Sequence, residues 1–465
     1  MLCVPIVGPT RQEVERQIAA AEAAKGVQLL EFRADLWDEV YFPRSTLPVI
    51  LTLRGKWNEA RRFLASSPAY IDLMHDTPLT FVEEVGREFP RVKRIISYHN
   101  YEKTPENLSA ALQQMRQLPA ELYKVVCLAN CSNDALRMVA LSQNQPDLLA
   151  ISMGERGQIT RLLARPWSFA PLVSEEASAL GQLTVEELHT IYGRDSLTET
   201  PTLYGLIGNP IAGSPSHLTH NRLMQQLGLT ARYSKMVVDP QELPQFLELA
   251  KQVGWRGLSV TIPLKELVLP HLDQIDEKAR AIGAVNTILF REGHLIGYNT
   301  DAAAALDAIE SRLAVAGRRM VILGAGGAAR AIVYEAQQRG ADIVVLNRTV
   351  ERAKSLAAER GVAYGDLESL QQECLHGYDI LVNATPDPMP ISAKQILPGS
   401  LVMETKIRPQ MNPFLESAAQ RGCQIVCGYE MFVNQAAEQF ALWFPGCAAT
   451  GALRRSLEQE VVKHL

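Results

Sequence analysis

The sequence predicts an α/β chain made of an N-terminal (β/α)8 barrel and a following two-domain α/β unit, one domain of which binds a nucleotide. Three observations carry this. Across residues 1–194, eight short apolar runs alternate with helical segments, the pattern of a parallel sheet with a crossover after each strand. A polar stretch from Tyr192 to Leu203, with Gly193 and Pro201, has neither helical nor strand periodicity and breaks the chain. Beyond it, Arg319-Met-Val-Ile-Leu-Gly-Ala-Gly-Gly-Ala-Ala329 sets an apolar strand before a Gly-x-Gly-x-x-Ala turn and a helix.

Composition limits the function classes. A chain of 465 residues exceeds one ordinary core. Its 47% hydrophobic and 21% charged residues suit a well-packed soluble protein. A net charge of −5 without a Lys/Arg block argues against a nucleic-acid partner. The pairs Arg318-Arg319 and Arg454-Arg455 read as solvated. No apolar run is long enough to span a membrane. Met1 to Val7 has no basic segment before it and meets Gly8-Pro9, so it reads as a first strand and not a signal peptide. Seven scattered cysteines, with Cys127/Cys131 and Cys423/Cys427 lacking nearby zinc-site partners, fit reduced thiols in the cytoplasm. No metal is implied.

In order, the expected barrel strands are Leu2–Val7, Val27–Phe32, Val49–Leu53, Tyr70–Leu73, Val92–Ser97, Leu122–Leu128, Asp147–Ser152 and Phe169–Val173. The connections after Phe32 and Leu53 carry the least helical pattern. Barrel chemistry sits at C-terminal strand ends, where the chain offers Glu31, Arg33, Arg54, Asp72 and His99. Glu31 and Arg33 could equally be a same-face ion pair, and His99 a structural residue. Lys124 lies within an apolar strand. Its buried ammonium must be paired or neutralised, and burial with Arg33 and Arg54 nearby is expected to lower its pKa towards a nucleophilic amine.

Glu31-Phe-Arg33, Ser97-Tyr-His99, Lys124, Ser152-Met-Gly154 with Thr160-Arg161, and Ser178-Ala-Leu-Gly-Gln182 together resemble type I 3-dehydroquinate dehydratase. The resemblance implies that Lys124 forms an imine with the substrate ketone and that His99 is the general acid/base. It makes Arg161 a carboxylate ligand and gives Glu31, Arg33, Arg54, Ser178 and Gln182 to the substrate's hydroxyls and carboxylate. The chain departs from the family at Asn58, where a glutamate usually bonds the histidine, and at Met74, where a carboxylate is usual. A working dehydratase with a shifted pH optimum is expected, since Asn can orient an imidazole but cannot raise its pKa.

In the second half, the turn of Gly324, Ala325, Gly326, Gly327 and Ala328 admits a pyrophosphate to a helix N-terminus. The next strand ends in Asn347-Arg348-Thr349 with Arg352 beyond, in place of the acidic residue of an NAD site; two guanidiniums suit a 2′-phosphate, so NADP(H) is expected. Ser214 and Ser216 precede a helix, where Ser216 reads as an N-cap and the two hydroxyls as a carboxylate site. Lys265 opens a helix against its dipole. Ala284 to Asp301 reads as a hairpin turning near Glu292-Gly293, which sets Asn286 opposite Asn299 and leaves Asp301 as either an N-cap or a site residue.

These pieces, with Val260-Thr261-Ile-Pro-Leu-Lys265, Asn383-Ala-Thr385 and Asn434-Gln435, resemble shikimate dehydrogenase from Thr202 to Leu465. The resemblance implies Lys265 and Asp301 as the acid/base pair, Ser214 and Ser216 on the carboxylate, and Thr261, Asn286 and Gln435 on ring hydroxyls. Thr385 and Gly428 join the cofactor site, and Ile407 replaces a tyrosine usual near the substrate. The domains are then a barrel over 1–194, a linker over 195–202, a substrate domain over 203–302 completed by 429–465, and a Rossmann NADP domain over 303–428. One chain would dehydrate 3-dehydroquinate and reduce 3-dehydroshikimate to shikimate, with small molecules as its partners. A quinate dehydrogenase beside an impaired barrel, and a regulatory NADP-binding protein, are the alternatives.

Overall fold

Short β-branched and aliphatic runs build the first sheet because both of its faces are covered. Its strands are β1 (Leu2–Ile6), β2 (Val27–Arg33), β3 (Val49–Thr52), β4 (Tyr70–Met74), β5 (Lys93–Asn100), β6 (Leu122–Leu128), β7 (Leu148–Met153) and β8 (Ser168–Phe169). This is a computed structural model; it describes every residue except 38–40, 56, 195–199 and 448–449, and leaves out the side chains of 57, 58 and 374.

All neighbours in this sheet pair in parallel, in the order β7-β6-β5-β4-β3-β2-β1-β8, which is the sequential order of a (β/α)8 barrel. The expected eighth strand, Phe169–Val173, shortens to Ser168–Phe169 because Pro171 cannot donate to a ladder. After β2 the chain makes a 3₁₀ turn, Ala34–Leu36, and after β3 a helix, Trp57–Leu64.

The second sheet contains β9 (Thr202–Gly208), β10 (Ala231–Val237), β11 (Trp255–Val260), β12 (Gln274–Ile275), β13 (Thr287–Arg291) and β14 (His294–Tyr298), ordered β10-β9-β11-β13-β14-β12. β13 and β14 form the expected hairpin, with Glu292 at φ 52° and Gly293 at φ 82°. Two left-handed residues in succession match the strand twist of a type I′ turn. Thr287 pairs with Tyr298, so Asn286 and Asn299 follow as neighbours at one end of the hairpin.

The third sheet is parallel throughout: β15 (Arg319–Leu323), β16 (Asp342–Leu346), β17 (Ala363–Gly365), β18 (Ile380–Asn383), β19 (Leu401–Glu404) and β20 (Gln424–Val426). Its order, β17-β16-β15-β18-β19-β20, reverses direction between β15 and β18, so the ligand crevice of a Rossmann sheet opens there. Apolar clusters cover both faces, one around Ile322, Val345 and Ile332 and the other around Val321, Val344 and Phe414.

Helix Gly428–Trp443 leaves the third sheet and returns to the second, where the indole N–H of Trp443 donates to the Ile288 carbonyl at 3.1 Å. By contacts the chain forms two compact units, Met1–Thr202 with Met236–Gly254, and Leu203–Lys235 with Trp255–Leu465. Of the sequence-expected linker, residues 195–199 lie outside those described, and Thr202 already belongs to β9. The two arginine pairs lie at the surface as partly exposed side chains: Arg318 pairs with Asp379 and Arg319 with Asp342 and Glu373, while Arg454 meets Glu438. Each of these arginines has a carboxylate within ion-pair reach.

Candidate active sites

In the barrel, register sets the site. Thr52 of β3 aligns with Asp72 of β4, and Ser97 of β5 aligns with Lys124 of β6. The Lys124 ammonium, 4% exposed, lies 2.5 Å from Asp72 Oδ2 and 3.4 Å from Glu31 Oε1, with the Phe169 ring 4.7 Å away. Glu31 also accepts from the Thr52 hydroxyl at 3.0 Å. Burial alone would lower the lysine's pKa, but Asp72 and then Glu31 outweigh it and raise it above the ordinary value. The expected lowering is therefore overturned. Arg33 is engaged by the Asp35 carboxylate at 2.6 and 2.8 Å, so it is not paired with Glu31 either.

His99 stands at the end of β5, its ring stacked on Tyr101 with centroids 6.0 Å apart. An Arg54 Nη lies 3.3 Å from His99 Nε2, and Arg54 also donates to the Tyr101 hydroxyl. Since a guanidinium only donates, His99 accepts at Nε2 and its neutral form carries the proton on Nδ1. That Nδ1 is buried and has no partner among the described residues. Burial, followed by the charges of Lys124, Arg54 and Arg33, holds the His99 pKa well below the ordinary histidine value. The Asn58 side chain lies outside those described.

Arg161 is carried by helix Gln158–Leu163, just after β7. It is 2% exposed, Nε has no hydrogen-bond partner among the described residues, and burial pushes its pKa down to about 10. A buried guanidinium without a described carboxylate is costly, and it marks a place for an anion. Ser178 and Gln182 close a turn on themselves, with Gln182 Oε1 accepting the Ser178 N–H at 2.8 Å. The same loop reaches β7's end, where the Gly154 N–H donates to the Leu180 carbonyl at 3.0 Å.

In the second unit, the Lys265 ammonium contacts Asp301 Oδ2, and Asn286 Nδ2 donates to Asp301 Oδ1 at 2.9 Å. Asp301 is not the cap of helix Asp301–Glu310: Asn299 Oδ1 accepts the N–H groups of Asp301 and Ala302, which frees the Asp301 carboxylate. Ser216 is not an N-cap either. Pro215 holds that position, and the hydroxyls of Ser214 and Ser216 meet at 2.7 Å. Thr261 anchors its N–H on the Ile207 carbonyl, beside Lys265's helix Leu264–Leu267. Gln435 donates back to the Phe432 carbonyl at 3.1 Å.

Sequence reasoning missed Gln439. Fully buried, it accepts from the Ser259 hydroxyl at 2.9 Å and donates to the Thr287 hydroxyl at 2.8 Å and the Asn286 carbonyl at 3.3 Å. It thereby ties helix Gly428–Trp443 to the strand that positions Asn286. Its signal was only a polar residue on an apolar helical face. Asp72 was visible as a strand-end carboxylate but not as Lys124's closest partner.

The nucleotide loop is built for close approach. Gly324 has φ 115°, and a Cβ there would meet the Ala384 carbonyl at 2.9 Å, while one on Gly326 would meet nothing within 4 Å. A Cβ on Gly327 would strike the Lys265 side chain at 2.8 Å, so the loop and the lysine are in direct contact. Ala325 and Ala328 complete this turn into helix Gly327–Gln338. Arg348 and Arg352 are exposed beyond β16, where Asn347 Nδ2 donates to the Thr349 carbonyl at 2.8 Å. Thr385 donates to Asn383 Oδ1 at 2.8 Å. Gly428 abuts the Lys406 carbonyl, which a Cβ would overlap, so its lack of a side chain serves packing. The loop's open side and the two exposed arginines fit a phosphorylated dinucleotide.

The type I 3-dehydroquinase model matches residues 2–199, and the shikimate dehydrogenase substrate binding domain model matches residues 206–288. Shikimate / quinate 5-dehydrogenase matches 307–410, and the shikimate 5'-dehydrogenase C-terminal domain matches 428–449. The shikimate biosynthesis protein AroDE of Chlamydia pneumoniae is 33% identical over 96% of this chain and 95% of its own length. The chloroplastic bifunctional 3-dehydroquinate dehydratase/shikimate dehydrogenase of Arabidopsis thaliana is 32% identical over 95% and 82%. Among solved structures, shikimate 5-dehydrogenase of Thermus thermophilus in complex with NADP(H) and shikimate is 33% identical. It covers 57% of this chain and 100% of that one, with a TM-score of 0.51.

Arg161 supplies a test of the barrel geometry. Replacing it with Met removes an unpaired buried charge, so the ligand-free variant should gain about 1 kcal/mol or more of stability in urea unfolding. A clear loss of stability would mean that the guanidinium is paired.

Proposed function

The chain belongs to the bifunctional family that joins type I 3-dehydroquinase to shikimate dehydrogenase, and we propose that it catalyses both reactions with NADP(H) as cofactor. The supporting observation is the lysine–aspartate contact at each site, Lys124–Asp72 in the barrel and Lys265–Asp301 beside the glycine loop. The proposed domains are a barrel over 1–194, a linker over 195–202, a substrate domain over 203–302 with 429–465, and a cofactor domain over 303–428. Six described cysteines are free thiols, which fits the cytoplasm.

In the dehydratase, Arg161 takes the carboxylate of 3-dehydroquinate. Lys124 transfers a proton to Asp72, and the free amine attacks the ketone; loss of water then gives the imine. His99 Nε2 removes the proton from the carbon next to the imine and returns it to the departing hydroxyl as water leaves. Tyr101 holds the ring by stacking, and Arg54 turns from Nε2 to the substrate's oxygens as it binds, which frees the Nε2 lone pair. Glu31, Arg33, Ser178 and Gln182 contact the remaining hydroxyls and carboxylate. Hydrolysis of the imine releases 3-dehydroshikimate and restores Lys124.

In the dehydrogenase, Ser214 and Ser216 take the carboxylate, and Thr261, Asn286 and Gln435 the ring hydroxyls. NADP(H), when bound, supplies or accepts the hydride. Lys265 gives a proton to the nascent oxygen during reduction, and Asp301 balances its charge. Gly324 to Ala328 admit the pyrophosphate, Thr385 and Gly428 line the same crevice, and Asn347, Arg348, Thr349 and Arg352 receive the 2′-phosphate. The protein is not assigned to quinate because the relatives matched over nearly its full length are named for shikimate biosynthesis and for 3-dehydroquinate dehydratase/shikimate dehydrogenase.

The low His99 pKa sets the pH profile. A base whose pKa is depressed stays neutral to lower pH, so the acidic limb of dehydratase kcat/KM should fall below the ordinary histidine value of about 6.5. A limb at or above that value would remove His99 as the base in this environment. For the second site, initial rates should favour NADPH over NADH and shikimate over quinate by at least about tenfold. Equal rates with NADH would reject the role given to Arg348 and Arg352.

A further inference from the structure

The reaction scheme leaves one fully buried carboxylate unused. Glu404 ends β19 directly beside Asn383, its register partner at the end of β18. Its Oε2 accepts from Asn383 Nδ2 at 2.8 Å and from Asn412 Nδ2 at 2.7 Å, and its Oε1 accepts from the Lys406 N–H at 2.8 Å. All three partners donate, so the ionised carboxylate, an acceptor at both oxygens, matches them together. A carboxylate with three fixed N–H donors in an apolar layer is a rigid junction.

What the junction holds is the edge of the ligand crevice. Asn383 turns its Oδ1 to the N–H of Thr385 at 3.0 Å and to its hydroxyl at 2.8 Å, while Nδ2 is shared between Glu404 and the Asp387 carbonyl. From the other strand, the Thr405 N–H and hydroxyl both donate to the Asn383 carbonyl, at 3.1 and 2.9 Å. Between Asn383 and Thr385 lies Ala384, whose carbonyl packs against Gly324 closely enough to exclude a Cβ there. On its far side, Lys406 donates its ammonium to the Pro386 carbonyl, and its own carbonyl seats Gly428. The bonds from Glu404 therefore brace the β18–β19 side of the crevice that opens between β15 and β18, and its β15 side is reached through the packing of Ala384 against Gly324.

We propose that Glu404 is a positioning residue for the nicotinamide dinucleotide, acting through Asn383 to hold Ala384–Thr385 against the glycine loop. The inference rests on the reading of that loop as the NADP(H) site. Glu404 does not touch the cofactor; it fixes the amide and hydroxyl of Thr385 and the floor beneath Gly324. A glutamine cannot replace it, because however the amide is turned, one oxygen facing a donor becomes an NH₂.

The test is Glu404→Gln in the full-length chain, with NADPH affinity read by fluorescence titration. The expected result is about a tenfold rise in Kd for NADPH, with shikimate KM within twofold and dehydratase turnover unchanged. A merely structural role would instead impair both substrates of the dehydrogenase together, with shikimate KM rising as much as the NADPH Kd. An unchanged NADPH Kd in the folded variant overturns the proposal, whereas a wild-type chain that fails to bind NADPH overturns the cofactor reading itself. Should the variant not fold, amide exchange in the cofactor-free wild type decides: the Thr385 N–H should be strongly protected, and free exchange there contradicts the junction.

Discussion

A lysine ammonium enclosed by a parallel strand is the constraint on which the first unit depends. Lys124 cannot remain charged within the barrel without anions, and the register of β2, β4 and β6 brings Glu31 and Asp72 to it. The same two carboxylates raise the lysine's pKa and so keep the nucleophile protonated until substrate arrives. Asp72, the nearer acceptor, is the natural destination for that proton. His99 has the opposite balance: burial first, and then the cations around it, keep it neutral and ready to accept. The lysine is thus held charged by its carboxylates and the histidine neutral by burial and neighbouring cations.

The second unit solves a different problem, bringing an acid/base pair from one sheet to a nucleotide loop on another. Gly327 permits it, because any side chain there would displace Lys265. The Asn299 cap leaves Asp301 free for Lys265, and Gln439 locks the returning helix to the strand that carries Asn286. Glu404 extends this framework across the Rossmann sheet. Each device is a short polar contact that leaves the neighbouring functional group unspent.

Much of this was legible in the sequence. Seven of the eight barrel runs became strands with small changes at their ends, because continuous apolar runs in a doubly covered sheet leave little choice. The hairpin turn was readable from Glu292-Gly293, and the nucleotide fold from its glycines. What failed depended on three-dimensional register. The lowered Lys124 pKa counted the arginines but not Asp72, whose alignment requires strand pairing. Assigning Ser216 as the cap missed Pro215. Gln439 and Glu404 have no sequence signal beyond polarity in an apolar run, since their meaning lies in partners far along the chain.

The central claim is that one chain carries out two successive reactions, the first through Lys124. Its most direct test is the coupled assay, supplying 3-dehydroquinate and NADPH to the wild-type protein and to Lys124→Met while following loss of the reduced nicotinamide. The account predicts NADPH consumption by the wild type and none by the variant, with both consuming NADPH when given 3-dehydroshikimate. Consumption by Lys124→Met from 3-dehydroquinate would contradict it, as would a wild-type chain that oxidises NADPH when given 3-dehydroshikimate but not when given 3-dehydroquinate.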